Sequence, residues 1–280
     1  MKRSTRREMA EETVAITRRG YYEPEPGRVV DLCDAVARCL ASTRFISAEE
    51  AVRLCGTATT PEARGPAATV EVVAETTLAG IARLLAAGQG PVAALNFASA
   101  KNAGGGFLNG SEAQEESLAR SSALYESLLT AEDFYLRHRA SRSTLYSDAM
   151  ILSPACPIFR DDDGALLHSP HLASFITSAA PNARAAADNA RHELQLIPET
   201  LLRRAECVLA LAASEGYRQL VLGAWGCGVF RNDPAVVAKS FASHLRAGGP
   251  WARRFDRVVF SIYDSSPEKE TLAAFQRELG

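Results

Sequence analysis

The feature that most restricts the fold is a continuous apolar run, PVAALNFA, at residues 91–98. A strand that is apolar at nearly every position is typical of a sheet covered on both faces. The run leads into three consecutive glycines, residues 104–106, and then into a helical segment that begins with Glu115 and Glu116. Because α/β proteins bind ligands at the carboxyl ends of their strands, and glycine lets a ligand approach the backbone, we expect a ligand site here. A flexible surface turn is the alternative interpretation of the glycines.

Strand and helix patterns alternate along most of the chain. This alternation predicts an α/β fold, a three-layer α/β/α sandwich around a mostly parallel or mixed sheet. Strands are expected at residues 69–75, 91–98, 148–154, 171–180, 217–225 and 256–264, with an Asp-Gly hairpin at 157–167. Helices are expected at 76–88, at 186–215 with a kink or restart at Pro198, after the N-cap pair Asp233 and Pro234, and at 267–278.

The N-terminal part of the chain has a different pattern. It predicts a helical N-terminal extension over residues 1–60, followed by the α/β domain over 61–280. Helical spacing occurs at 4–19, 28–42 and 47–54, the last capped by Ser47 with Glu50; Tyr21–Gly27 is expected to be a turn-rich break and 56–67 a linker.

Charge and composition exclude several classes of partner. The formal net charge of −2 argues against long stretches of nucleic acid as the main partner, because phosphate-backbone binding needs a basic face, and no sequence-specific binding of nucleic acid is expected. It does not exclude a small, nucleotide-like ligand. Four basic residues near the N-terminus could contact acids, although a solvated helix face is favoured: Lys2, Arg3, Arg6 and Arg7. No apolar run approaches the roughly 18 residues that span a membrane, and no signal-peptide pattern is present. We therefore expect a cytoplasmic protein, monomeric and without membrane contact.

Cysteine and histidine spacing indicates neither a metal site nor a disulfide. The six cysteines include no CxxC pair, and the five histidines do not stand at zinc-binding distances from them. We expect reduced thiols, no metal and no cofactor.

The acidic segment has a recognisable helix start. Ser111 and Gln114 fit an S-x-x-Q capping box, which places Glu115 and Glu116 in or near the first helical turn. Adjacent helical residues diverge by about 100°, so only one carboxylate can point at a given bond. The helix dipole favours ionised carboxylates here, whereas a general acid requires burial or a neighbouring anion to hold its proton. Two solvated glutamates are the favoured interpretation from these residues alone.

A second glycine loop, GAWGCGVF at residues 223–230, follows the strongest strand pattern and precedes a capped helix. Gly226 and Gly228 expose backbone amides that suit an anion. The loop has neither the GK[ST] of a P-loop nor a dinucleotide fingerprint. Trp225 and Phe230 could contact a sugar or base, or belong to the core. Two glycine loops with an acid pair beside one of them indicate a diphosphate site next to an acid.

Taken together, these motifs resemble those of the poly(ADP-ribose) glycohydrolases, in their bacterial, microbial-type branch. The resemblance is carried by Gly104, Gly105 and Gly106, a seven-residue spacer, the QEE of residues 114–116, and the surrounding NFASAKNAGGGF, EESLARSS and LVLGAWGCGVFRNDP. It implies a macrodomain-like fold with a helical N-terminal extension. It also implies hydrolysis of the ribose–ribose bond of poly(ADP-ribose), mainly from chain ends, with release of ADP-ribose and without a metal.

The resemblance also implies roles for individual residues. Glu116 is the general acid, which later activates water, and Glu115 holds ribose hydroxyls. Asn102 binds the terminal ribose, and the glycine triplet and Gln114 belong to the substrate site. The diphosphate is bound by the loop of Gly226, Cys227, Gly228, Val229 and Phe230, and Phe230 packs near the terminal ribose. Thr76 and Asp264, from segments 75–77 and 263–265, line the adenosine pocket, although the aspartate usual in macrodomains after the first strand is not evident.

Three other interpretations remain open. A macrodomain could bind ADP-ribose without cleaving it, although a binding module needs no acid pair. A mono-ADP-ribosyl hydrolase would use the same diphosphate site with another leaving group. An α/β protein without a nucleotide role would require both glycine loops to be simple turns. On the preferred interpretation the partners are poly(ADP-ribose), ADP-ribose and poly-ADP-ribosylated proteins.

Overall fold

The computed structural model describes residues 1–56 and 66–280. It contains a two-stranded sheet and a seven-stranded mixed sheet. The strands are β1 Tyr21–Glu25, β2 Arg28–Asp31, β3 Arg44–Ile46, β4 Thr69–Val73, β5 Val92–Phe97, β6 Met150–Arg160, β7 Leu166–Ser178, β8 Gln219–Leu222 and β9 Arg257–Ser261. The helices are α1 Arg3–Arg19, α2 Cys33–Ser42, α3 Ala48–Cys55, α4 Thr77–Ala86, α5 Gln114–Ser121, α6 Leu124–Thr130, α7 Glu132–Ala140, α8 Ala183–Asn189, α9 Ile197–Ser214, α10 Pro234–Leu245 and α11 Glu270–Leu279. Short 3-10 helices occupy Phe107–Asn109 and Arg191–Leu196.

The seven-stranded sheet has the order β3-β6-β7-β5-β8-β9-β4. The strands from β7 to β4 run parallel, and the pairs β3–β6 and β6–β7 are antiparallel. β5 therefore lies in the interior of the parallel part, between β7 and β8. Loops that leave β5 and β8 emerge side by side at the carboxyl edge, which is where this class of sheet binds ligands.

Alternate residues of β5 enter two different hydrophobic cores. Ala93 and Leu95 pack in the core beneath α9, α10 and α11, while Val92 and Ala94 pack in the core beneath α2 and α4–α7. All four side chains are 1% exposed, so both faces of the strand are covered. The predicted three-layer α/β/α sandwich with a mixed sheet is confirmed.

Several predicted helix starts are confirmed by their hydrogen bonds. The Ser47 hydroxyl accepts from the Glu50 amide at 3.2 Å at the start of α3. Asp233 accepts from the Ala235 amide at 2.8 Å at the start of α10. Pro198 stands in the first turn of α9, so it marks a restart after the preceding 3-10 helix.

Part of the N-terminal prediction is wrong. The expected break at Tyr21–Gly27 and the first residues of the expected helix at 28–42 instead form the antiparallel pair β1–β2. Tyrosine and valine prefer strands. Tyr22 and Val30 stand opposite each other in the pair, and both pack against the hydrophobic core. The helix itself begins only at Cys33.

The proposed extension also contributes to the main sheet, because β3 pairs with β6 at its edge. Residues 57–65, most of the predicted linker, lie outside the described part of the chain. The division at residue 60 stays a prediction. Within residues 1–56 and 66–280, no helix is long and apolar enough to cross a membrane.

Candidate active site

A cavity of about 1510 Å³ opens at the carboxyl edge of the sheet. The loops after β5 and β8 form two of its walls, and the start of α4 and the segment after β9 form a third. Twelve predicted site residues line it: Thr76, Asn102, Gly105, Gly106, Gln114, Glu115, Glu116, Gly226, Cys227, Gly228, Val229 and Phe230. Gly104 and Asp264 are not among the lining residues.

The glycine triplet allows the two carboxylates to approach the backbone. Gly104 and Gly105 adopt positive φ angles of 65° and 59°, which favour glycine. A Cβ atom at Gly105 would lie 2.4 Å from Glu116 Oε1 and 3.3 Å from Glu115 Oε2. The Gly106 amide donates to Glu116 Oε1 at 3.0 Å. The loop and the start of α5 are therefore fitted to each other, and the glycines serve this contact as well as the cavity.

The predicted capping box at Ser111 is wrong. Helix α5 begins at Gln114, after a residue without a side-chain oxygen to cap it. The Gln114 side chain instead accepts from the Phe97 amide at 2.9 Å and donates to Leu95 O at 2.7 Å and to Thr77 Oγ1 at 3.2 Å. Gln114 thus joins the start of α5 to the end of β5. It lines the cavity, but its side-chain amide forms hydrogen bonds within the protein.

Glu115 is the buried member of the acid pair, with 2% of its surface exposed. Its Oε2 accepts from the Ser99 amide at 2.7 Å, and its Oε1 accepts from Asn96 Nδ2 at 3.2 Å. Burial raises the pKa of Glu115 to about 8, with a further contribution from the Glu116 charge, and these hydrogen bonds only partly oppose it. Burial outweighs the helix dipole, which is worth only about 0.3–1 kcal/mol. Glu115 therefore holds its proton at neutral pH.

Glu116 has a different environment. It is half-buried and lines the cavity. Its bond to the Gly106 amide is its one hydrogen bond among the described residues outside the helix backbone. The two carboxyl groups thus differ in burial and in access to the cavity, and such a difference in environment is typical of acid–base sites.

The second glycine loop is held in place by contacts with Ala180 and Asn232. Gly226 has a φ angle of 72°, and a Cβ there would lie 2.5 Å from both Ala180 Cβ and Asn232 Nδ2. Asn232, 3% exposed, donates to Pro181 O at 2.8 Å and to Gly226 O at 3.2 Å. Gly228 has no neighbour within 4 Å of a built Cβ, so its backbone faces open space.

The aromatic residues of this loop divide between core and cavity. Trp225 is buried, and its Nε1 donates to Ser178 O at 2.9 Å, so its indole is mainly part of the core. Phe230 is half-buried at the cavity and lies 6.0 Å from the Tyr146 ring. Burial raises the pKa of Cys227 to about 12, which leaves a thiol unsuited to nucleophilic attack.

The far end of the cavity contains a residue that the sequence did not indicate. Thr76 caps α4 through a bond from the Ala79 amide at 3.1 Å, and its hydroxyl donates to Asp162 Oδ2 at 2.6 Å. Asp162 belongs to the β6–β7 turn and lines the cavity, and burial raises its pKa. The two residues are 86 positions apart, and no local pattern links them.

Asp264 has a structural role in its observed position. Its carboxylate accepts from the Ser266 amide and hydroxyl and from the Thr271 and Leu272 amides at the start of α11. The Ser266 hydroxyl is the main cause of its lowered pKa. The neighbouring Tyr263, 75% exposed, lines the cavity instead.

Helix α1 supports the loop between the glycines and α5. Arg6 Nε donates to Gly110 O at 2.8 Å, and Arg6 Nη1 pairs with Glu112 Oε2 at 2.7 Å. The favoured prediction of a solvated basic face is therefore wrong for Arg6, while Arg3 and Arg7 are exposed.

Among the described residues no group of three or more histidine, cysteine, aspartate or glutamate side chains could hold a metal ion.

Comparisons with known proteins show what the chain is similar to. Residues 10–161 match the family model described as microbial-type PARG, catalytic domain. A poly(ADP-ribose) glycohydrolase from Thermomonospora curvata is 48% identical, with a TM-score of 0.94 over 99% of this chain and 100% of that chain. Its structure with the inhibitor ADP-HPD gives 48% identity and a TM-score of 0.91, covering 98% and 99%. The Deinococcus radiodurans enzyme in complex with ADP-ribose is 44% identical, with a TM-score of 0.80, covering 91% and 97%. No curated protein matches the chain.

Proposed function

The chain belongs to the microbial-type poly(ADP-ribose) glycohydrolases and is a hydrolase of poly(ADP-ribose), and we propose that it cleaves mainly from chain ends with Glu116 as general acid. The observation that carries this proposal is that two carboxyl groups in different environments lie against Gly105. Glu115 is buried with its proton, and Glu116 faces the cavity beside it.

The reaction breaks the bond between the anomeric carbon of the terminal unit's distal ribose and the ribose oxygen of the next unit. Glu116 gives its proton to that oxygen as the bond breaks, and an oxocarbenium-like sugar forms. The Glu116 carboxylate then takes a proton from water as the water attacks the sugar.

The other residues bind and orient the substrate in this proposal. Protonated Glu115 offers a hydrogen-bond donor to the ribose hydroxyls, and its other oxygen keeps its place against the Ser99 amide. Asn102 contacts the distal ribose. The open backbone at Gly228 and the adjoining amides receive the diphosphate. Phe230 packs against the distal ribose.

Action from chain ends is supported by the walls at the adenosine end. The bond between Thr76 and Asp162 joins the start of α4 to the β6–β7 turn there. A chain that continued beyond the adenosine ribose would have to pass this junction. Polymer labelled at its terminal unit should therefore release label as ADP-ribose from the first turnover, and early release of long fragments would contradict the proposal.

Two further elements of the proposal concern partners and assembly. The physiological substrate is polymer attached to poly-ADP-ribosylated proteins, and the enzyme acts as a monomer. Hydrolysis of polymer on an automodified carrier protein, followed with light scattering of the enzyme, tests both.

The decisive experiment compares wild type with Glu116→Gln, with Glu126→Gln as control. Glu126 pairs with the exposed Arg18 at 2.9 Å and does not line the cavity. Loss of the proton donor should lower kcat by about 100- to 10,000-fold, the range for general acids. ADP-ribose affinity, measured by calorimetry, should change by less than about twofold, because the amide keeps the shape of the site.

Each outcome discriminates between functions. ADP-ribose binding by wild type without release from polymer would indicate a binding module or a hydrolase for mono-ADP-ribosylated protein, which the latter substrate would reveal. Full activity of Glu116→Gln would remove the acid role from Glu116.

A further inference from the structure

A cluster of basic side chains surrounds the back of the cavity wall. Arg3, Arg6 and Arg7 share one face of α1, since residues three and four apart are neighbours on a helix. Arg3 Nε donates to Asn109 O at 2.9 Å. Arg3 Cγ and Arg7 Cγ each lie 3.0 Å from the position of a Cβ on Gly110. The arginine face is thus in direct contact with the loop between the glycine triplet and α5.

Most of this charge is not neutralised. Arg6 pairs with Glu112, but Lys2, Arg3 and Arg7 form no ion pair with an acid among residues 1–56 and 66–280. All three are exposed. A chain with a net charge of −2 therefore carries a local positive surface at this place.

The same loop forms the part of the cavity wall that precedes the acid pair in the sequence. Leu108, Asn109 and Glu112 line the cavity, and α1 packs on the other side of this segment. In the proposed binding mode the terminal ADP-ribose extends from Thr76 to Asn102. The rest of the polymer continues from the leaving oxygen at Glu116, along this wall to solvent. Every repeating unit of that polymer carries a negatively charged diphosphate.

We propose that Lys2, Arg3 and Arg7 form a binding surface for the diphosphates of the chain on the leaving-group side of the scissile bond. The inference rests on the proposed function, because it needs a polymeric substrate in that orientation. The surface contributes to binding of polymer and contributes nothing to binding of a single ADP-ribose, which ends at the acid pair.

A second basic pair offers a different exit. Arg139 lines the cavity, and its Nη1 donates to Lys101 O at 2.8 Å. The guanidinium also lies 4.0 Å from Glu132, so an acid offsets its charge. This side is the competing route, and the experiment distinguishes the two.

The test measures KM for size-fractionated poly(ADP-ribose) over a range of salt concentrations. The main variant is Lys2→Glu/Arg7→Glu, which leaves the hydrogen bonds of Arg3 and Arg6 to the loop intact. Arg38→Glu/Arg253→Glu is the charge-matched control, since both residues are exposed and neither lines the cavity. Lys101→Glu/Arg139→Glu tests the competing route.

The main variant should raise KM about tenfold at low salt, and the difference should shrink as salt screens the charges. The control should stay within about twofold of wild type. Affinity of the main variant for ADP-ribose should equal that of wild type, which shows that the site is intact.

Three results would overturn the inference. The main variant could match the charge-matched control, the competing pair alone could raise KM, or the main variant could lose affinity for single ADP-ribose to the same extent as for polymer. Absence of any polymer hydrolysis by wild type would be a different failure, since it would refute the proposed function itself.

Discussion

Substitution of Gly105 by alanine separates the effect of backbone strain from the effect of displacing the Glu116 carboxylate. Gly105 has a φ angle of 59°, and a Cβ there would lie 2.4 Å from Glu116 Oε1 and 3.3 Å from Glu115 Oε2. The methyl group cannot be accommodated without movement, because real Cβ contacts do not occur at 2.4 Å. Since Glu115 is held by Asn96 and Ser99, we expect the Glu116 carboxylate to move.

The expected effect of Gly105→Ala has two parts, a loss of stability and a loss of rate. A left-handed conformation costs an alanine about 1–2 kcal/mol, which lowers the free energy of unfolding. Restoring ordinary van der Waals contact displaces the Glu116 oxygen by about 1 Å, and a misplacement of that size can cost about 100-fold in rate. We therefore expect kcat to fall by about two orders of magnitude in a protein that is only slightly less stable.

Gly27→Ala is the matched control. Gly27 has a φ angle of 78°, but a Cβ there would meet nothing within 4 Å. It shares the strain of Gly105→Ala without the clash and lies away from the cavity. Urea unfolding should show similar losses of stability in the two variants, and release of ADP-ribose from polymer should fall in Gly105→Ala alone.

A folded Gly105→Ala enzyme with kcat within about threefold of wild type would refute the reasoning. It would mean that the position of the Glu116 oxygen does not control the chemistry. Equal losses of activity in both glycine variants would instead assign the effect to stability.

Two further predictions concern ionisable groups in the interior. The folded pKa of Glu115, about 8, exceeds its ordinary value of 4.5, so its contribution to stability is present below pH 4.5 and lost as pH rises to about 8. At about 1.4 kcal/mol per pKa unit this amounts to at most roughly 5 kcal/mol. The melting temperature should therefore fall less between these pH values for Glu115→Gln than for wild type. An equal decrease in the two proteins would contradict the raised pKa. Asp148→Ala should cost about 3–5 kcal/mol in urea unfolding, because it removes the carboxylate 3.0 Å from Arg204, whose side chain is 0% exposed; a loss below about 1 kcal/mol would show that Arg204 is satisfied without it.

Local sequence patterns determined the larger part of the fold. The run at 91–98 is apolar at every position except Asn96 because both faces of β5 are covered, and this property can be recognised without any knowledge of the partners. The caps of α3 and α10 are likewise local, since each bond spans only a few residues. The β1–β2 pair was missed because valine-rich segments also fit a helical spacing, and its closure against the core decided the outcome.

The candidate site divides in the same way. The glycine triplet, the QEE motif and the second glycine loop are contiguous segments, so the sequence alone indicated residues that lie together at the cavity. Three features depended on contacts between distant segments: the bond from Thr76 to Asp162, the engagement of Gln114 with the end of β5, and the support of the loop by Arg6. The raised pKa of Glu115 also depends on the tertiary structure, because its main cause is burial. The two glutamates are adjacent in the sequence, and no local pattern shows which of them is buried. Only the folded chain buries Glu115 and leaves Glu116 at the cavity, so the difference in desolvation comes from the tertiary structure.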